Sequence, residues 1–253
     1  VNIKKVNGYQ VPLAAEKNIA SVAAQSLLDF LEIDRGFDIE INKNIKPGSG
    51  IGSSAASAVG AVYGINKLLG NPLKKKDLLK FAMKGESVSS KSAPADNVAS
   101  SLYGGLILVN NRENYNVINL PVPKNLFAVI HHPLLEFKTS ESRAILPKSV
   151  NLDIVSNQLS SIGGFIHSLH TGDFDLMRFI LKDYLVEKYR ANHVPFFKEI
   201  KNISNLNDAI CCSISGSGPS LFSLANGYDK AIKLKSMYDE VYSKNSVEFN
   251  SYV

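Results

Sequence analysis

Between Asn18 and Leu31 the apolar residues Ile19, Val22, Ala23, Leu27, Phe30 and Leu31 recur at helical spacing. Phe37, Ile39 and Ile41 then alternate with charged residues, the pattern of a half-buried strand. Lys46-Pro47-Gly48 ends that strand, and small residues (Ala55, Ala56, Ala58, Gly60, Ala61, Gly64) fill a helix predicted over 53–69. Gly70-Asn71-Pro72 stops it. Further helices are predicted over 76–88, 151–170, 173–186 and 229–242, and strands over 106–109, 127–130, 209–214 and 221–224. His131 and His132 follow a strand, lack partners at metal spacing and read as loop residues. Helices and strands mix without regular alternation, so the expected class is α+β. The Pro121-Val122-Pro123 punctuation is the expected boundary between domains spanning 1–122 and 123–253.

Composition narrows the classes. The 253 residues are 45% hydrophobic and 20% charged, which suits packed cores and argues against disorder. No apolar run is long enough to cross a bilayer, and no signal-peptide pattern opens the chain. The adjacent Cys211 and Cys212 form neither a disulfide framework nor a metal spacing, so the chain reads as cytoplasmic. The net charge of +5 is spread thinly. Its one cluster, Lys74-Lys75-Lys76, precedes an amphipathic segment and reads as a solvated helix start. No RNP-type aromatic pattern or zinc finger supports nucleic-acid binding. A modest positive bias suits an anionic small molecule such as a nucleotide.

The richest stretch is Pro47-Gly48-Ser49-Gly50-Ile51-Gly52-Ser53-Ser54-Ala55-Ala56-Ser57. Glycines at alternate positions permit positive φ and close approach of the backbone to a ligand. The run opens a helix, whose first N–H groups lack intrahelical partners and whose dipole favours an anion. It is not a Walker A loop, because Ser53 stands where the lysine is needed. It is not a dinucleotide fingerprint either, since Ser53 occupies the third glycine position. What remains is an anion-binding loop of another type, or a turn capped by serines.

This stretch resembles the ATP-phosphate loop of the GHMP small-molecule kinases, and Ile214-Ser215-Gly216-Ser217-Gly218-Pro219-Ser220-Leu221-Phe222 resembles their C-terminal glycine motif. Three segments between them are similar to the homoserine kinase family within that group. They are Ala95 to Gly105, Thr139-Ser140-Glu141-Ser142-Arg143-Ala144-Ile145-Leu146-Pro147, and Glu187-Lys188-Tyr189-Arg190 with Pro195 beyond. The resemblance implies a two-domain GHMP kinase fold: a mixed α/β nucleotide-binding domain over 1–122 and a ferredoxin-like α/β domain over 123–253. It implies transfer of the ATP γ-phosphate to the hydroxyl of L-homoserine, a step of threonine biosynthesis. Residues 47–57 would cradle the phosphates, and Ser54 with Glu86 would hold Mg²⁺. Arg143 and Arg190 would clamp the carboxylate of homoserine, a task that bidentate guanidinium suits. Asp96 and Asn97 would take its ammonium and hydroxyl end as the catalytic pair, whether or not Asp96 acts as a base. The glycine turn at 215–218 would lie under the phosphate site as support. A homodimer, with neither nucleic acid nor membrane as partner, completes the expectation.

The match has departures. Pro94 stands where the family often carries a histidine, and Lys188 replaces a proline. The family's N-terminal motif is missing ahead of Val1, so the chain is expected to lack its first strands, and its last strand to be cut short at Val253. Other readings are another GHMP kinase, of mevalonate or diphosphocytidyl-methylerythritol type, and a non-catalytic nucleotide-binding protein on the same fold.

Overall fold

The computed structural model describes residues 1–88, 95–111, 116–135 and 139–253, with the side chains at 111 and 139–141 left aside. Pro94 lies outside the described residues. The chain separates into two compact units: Val1–Pro47 with Gly52–Asn119, and Gly48–Ile51 with Leu120–Val253.

In the first unit β1 (Asn2–Gly8) pairs in parallel with β2 (Asp38–Lys43), from Asn2 opposite Asp38 to Gly8 opposite Lys43. Between them runs α1 (Ile19–Phe30), capped by Asn18, whose side chain accepts the N–H groups of Ala20 and Ser21. Such a cap is worth about 1 kcal/mol. The small-residue helix is α2 (Ser53–Leu68), with Gly70 and Asn71 beyond it in the left-handed conformation. The helix predicted over 76–88 opens as a 3-10 turn, Lys75–Leu78, and becomes α3 only over Leu79–Glu86. Then come α4 (Asp96–Tyr103) and a separate two-stranded sheet of β3 (Leu106–Asn111) and β4 (Asn116–Leu120). Ala23, Leu27, Ala55, Val62, Phe81 and Val98 are among the residues that close one apolar core over α1 to α4.

The second unit is built on an antiparallel sheet in the order β6-β7-β5-β8. Its strands are β5 (Leu126–Pro133), β6 (Cys211–Ile214), β7 (Leu221–Asn226) and β8 (Phe249–Tyr252). Helical segments join β5 to β6, and one long helix joins β7 to β8, which is the split βαβ arrangement of a ferredoxin-like domain. The helices are α5 (Thr139–Ala144), α6 (Leu152–Thr171), α7 (Phe174–Ile180), α8 (Glu187–Arg190), α9 (Phe197–Leu206) and α10 (Tyr228–Lys244). The helix predicted over 173–186 stops at Ile180 because Ser161 intervenes. Its hydroxyl lies 2.6 Å from the Ile180 carbonyl and 3.1 Å from that of Lys182, and it accepts the Lys182 N–H at 3.2 Å. α9 packs Phe197, Ile200 and Ser204 inward beside Leu234, Tyr238 and Tyr242 of α10.

His131 and His132 correct the loop reading. Both lie inside β5 and are 1% exposed, because β8 pairs with β5 from Ile130 to Pro133 and prolongs the strand. His131 Nε2 is 2.8 Å from Asp239 Oδ1, and its ring is enclosed by Tyr238, Tyr242 and Phe249. Among the described residues no helix is long and apolar enough to cross a membrane.

Candidate active site

In the first unit the chemistry gathers around the start of α2. Gly52 precedes the helix at φ 76°, and no side chain caps its first turn, so its leading N–H groups are available to an anion. Ser53 is buried and donates to the Ile45 carbonyl at 2.7 Å. Lys43, at the end of β2, is also buried, and its ammonium donates to the Ser53 carbonyl at 2.5 Å and to Ser57 Oγ at 2.6 Å. Ser54 Oγ donates to Glu86 Oε2 at 3.1 Å.

Glu86 reaches that place because Gly85 lets α3 press against α1. A Cβ on Gly85 would lie 2.6 Å from the Ile19 carbonyl oxygen and 2.8 Å from the Ala23 Cβ. Burial holds the Glu86 carboxyl above its ordinary pKa, against the pull of the Ser54 bond and the Lys43 charge, and the Asp96 carboxylate adds to the rise. Burial likewise lowers the Lys43 pKa, with Glu86 opposing. Lys43, Ser54, Glu86 and Asp96 therefore share one electrostatic neighbourhood. Asp96 is exposed at the head of α4, its Oδ1 accepting the Asn97 N–H at 2.9 Å. Asn97 Oδ1 lies 3.9 Å from the Cβ position of Gly52. The Ser54 hydroxyl and the Glu86 carboxyl are hard oxygens of the kind Mg²⁺ accepts while keeping several waters. A cavity of about 440 Å³ adjoins this cluster, lined by Lys43, Ser53, Ala56, Ser57, Gly60 and Ala61 among others.

In the second unit Gly48–Ile51 is fastened to the turn between β6 and β7. Ser220 Oγ donates to the Ser49 carbonyl at 2.6 Å, and Ser215 Oγ donates to the Gly50 carbonyl at 2.9 Å. Gly50 has φ +80°, and a Cβ there would lie 2.5 Å from the Ser215 carbonyl oxygen and 2.7 Å from that of Gly218. No other residue fits this position.

The two arginines predicted to bind substrate also lie in this unit. Arg190 donates through Nη1 to the Gly216 carbonyl at 2.6 Å, and through Nε and Nη2 to the Ser142 carbonyl at 3.4 Å each. Among the described residues three of its five donors are thus engaged, which leaves two for a ligand. Burial lowers its pKa, the Asp183 carboxylate opposes this, and the charge of Arg143 adds to the lowering. α8 is held in turn by Asp183, which accepts the N–H groups of Leu185, Val186 and Glu187, and by Glu187, which pairs with Lys201 and accepts from Ser213.

Sequence reasoning passed over Lys43, Ser142 and Asp183. Lys43 carried a readable signal, since it shares a strand face with Ile39 and Ile41 and is the most buried of the three. Ser142 carried none beyond its place in the segment from Thr139 to Pro147, and Asp183 carried none. The cysteines are inert: burial raises both thiols, that of Cys211 to about 12.

Comparison with known proteins now adds to this geometry. Residues 18–105 match the family described as GHMP kinases N terminal domain, and residues 165–244 match GHMP kinases C terminal. A homoserine kinase of Chlorobium phaeobacteroides is 35% identical over 242 residues, covering 93% of this chain and 76% of that protein. The chain belongs to the homoserine kinase family of GHMP kinases. A homoserine kinase of Methanococcus vannielii is 36% identical over 245 residues, covering 96% of this chain and 80% of its own. The crystal structure of homoserine kinase from Cytophaga hutchinsonii superposes with a TM-score of 0.96 at 40% identity, over 99% of this chain and 80% of that one. More distant GHMP kinases, such as the Methanococcus jannaschii mevalonate kinase (TM-score 0.72, 19% identity), share the fold alone.

Proposed function

We infer that this protein is an ATP-dependent kinase that phosphorylates the side-chain hydroxyl of L-homoserine, yielding O-phospho-L-homoserine for threonine biosynthesis. Family membership supplies the reaction class. The observation that carries the acceptor is the arrangement around Ser142: Arg190 is bonded to its carbonyl, Arg143 is the next residue, and guanidinium groups suit the carboxylate of an amino acid.

On this reading residues 1–122 form the nucleotide-binding domain and 123–253 its companion. Residues 47–57 hold the phosphates, with the uncapped N–H groups at the start of α2 facing them. The cavity beside Lys43 takes the nucleoside. Ser54 and Glu86 would hold Mg²⁺, which would supply neutralisation of the negative charge on the transferring phosphoryl group. Asp96, oriented by the Asn97 N–H, receives the acceptor's ammonium group, and Asn97 orients its hydroxyl. Arg143 and Arg190 hold the far end, so that the hydroxyl is presented rather than searched for.

The test is ADP release with L-homoserine, mevalonate and galactose in parallel. Selective turnover of homoserine is expected. Turnover of mevalonate or galactose instead would leave the ATP site standing and remove the arginine clamp.

A further inference from the structure

The second unit contains a buried polar ring that the reaction chemistry leaves unexplained. Ser142, the residue before Arg143, is 0% exposed. Its hydroxyl donates to the Ser217 carbonyl at 3.0 Å, while its own carbonyl receives Nε and Nη2 of Arg190. Arg190 Nη1 closes the ring on Gly216, the residue before Ser217.

The turn does not need this hydroxyl to keep its shape. It is already fixed by Gly218 N–H to the Ser215 carbonyl (2.9 Å), by Ser215 N–H to the Ser220 carbonyl (2.8 Å), and by the two serine bonds to Ser49 and Gly50. What the Ser142 bond adds is register. It ties α5, and with it Arg143, to the turn on which Arg190 rests. Arg143 directly follows Ser142 on α5, so fixing Ser142 against the turn and against Arg190 limits where the Arg143 backbone can lie relative to Arg190. A buried hydroxyl is also costly unless bonded, so alanine would be the cheaper residue here if packing were its only task.

We propose that Ser142 is a positioning residue for the acceptor's carboxylate, holding Arg143 and Arg190 in register through its bonds to Ser217 and Arg190. The proposal rests on the reading of those arginines as the acceptor clamp. Preorganisation of this kind lowers the acceptor's KM without touching the phosphoryl-transfer step. It also favours acceptors that carry a carboxylate over those that lack one.

The experiment measures kcat and KM for L-homoserine and for 3-amino-1-propanol, the same amino alcohol without its carboxylate, on wild type, Ser142→Ala and Ser142→Cys. Where 3-amino-1-propanol turns over below detection, its inhibition constant against homoserine replaces its KM. For Ser142→Ala the homoserine KM is expected to rise about tenfold, the effect of one net hydrogen bond. The ATP KM, kcat and the constant for 3-amino-1-propanol should stay within about twofold, the range a spectator site allows. Ser142→Cys, which keeps the volume with a weaker donor, should recover part of the loss, and it carries the same comparison if the alanine variant does not fold. Unchanged homoserine kinetics, or equal loss for both amino alcohols, would overturn the proposal. A wild type that ignores homoserine would instead overturn the acceptor assignment and Ser142's role with it.

Discussion

Replacing Gly50 by alanine puts the fastening of the phosphate loop to a direct test. The backbone there sits at φ +80°, a conformation that costs an L-residue about 1–2 kcal/mol. The new methyl would also meet the carbonyl oxygens of Ser215 and Gly218 at 2.5 and 2.7 Å. Neither oxygen can retreat freely. The Ser215 carbonyl accepts the Gly218 N–H at 2.9 Å, and both ends of the turn belong to β6 and β7. Overpacking against such a backbone costs about 1–3 kcal/mol more. The sum, roughly 2–5 kcal/mol, corresponds to a fall in Tm of about 10 °C for a protein of this size. Differential scanning calorimetry measures the fall, and the KM for ATP should rise in parallel because the displaced segment belongs to the loop proposed to hold the phosphates. Gly64→Ala is the internal control. It lies mid-helix in α2 with no heavy atom within 4 Å of its Cβ position, so it should gain about 0.5–1 kcal/mol. A Gly50→Ala protein that melts within about 2 °C of wild type and keeps its ATP KM would refute the account of the loop as a clamped segment.

Two further outcomes follow from buried ionisable groups. Glu86→Gln should lower Mg²⁺-dependent turnover by at least about 10–100-fold, the range already seen for loss of a group that only supports a metal ligand. Its Tm should hold or rise, because a carboxyl whose pKa burial has raised is exchanged for a neutral group. A variant with full activity at limiting Mg²⁺ would exclude Glu86 from the metal. His131 is buried neutral with its pKa lowered, chiefly by burial, so the unfolded chain takes up its proton first as the pH falls. Its contribution is complete above the ordinary histidine pKa and is lost as the pH drops from about 6.5 toward the lowered folded value. His131→Phe should flatten the decline of Tm between about pH 6.5 and 5, and an unchanged slope would show that another group sets it.

The legible parts of this chain were those in which local chemistry and tertiary environment agree. α1, α2, α6 and α10 carry helical periodicity with caps or breakers at their ends, and the alternate glycines at 48, 50 and 52 all adopt the positive φ their spacing predicted. Strand β1 was invisible because Asn2-Ile3-Lys4-Lys5-Val6-Asn7 buries only Ile3 and shows no alternation. α9 could have been read, since Phe197, Ile200 and Ser204 share a helical face, but its polar remainder masked it. The length of β5 depended on β8, some 120 residues later in the chain, and no local pattern could move His131 and His132 from a loop into the core. In the site, the sequence named side chains with obvious chemistry and passed over those that hold them. Asp183, which caps α8, looks like an ordinary surface residue until its partners are known, and the strand face of Lys43 hinted at its burial but not at its bracing of the first turn of α2.

The bond from Ser220 to Ser49 spans 171 positions of sequence and has a bearing on how the protein is made. On the ribosome the glycine run emerges early, and α1 to α4 can close their core soon afterwards, since every residue of that core lies before Asn119. The segment Gly48–Ile51 must wait, because its anchoring turn is translated 165 to 171 residues later. A nascent chain that stalls before Ser215 thus carries the whole glycine run without the turn that fastens its first half, so that segment gains its bonded form only after Ser220 is made.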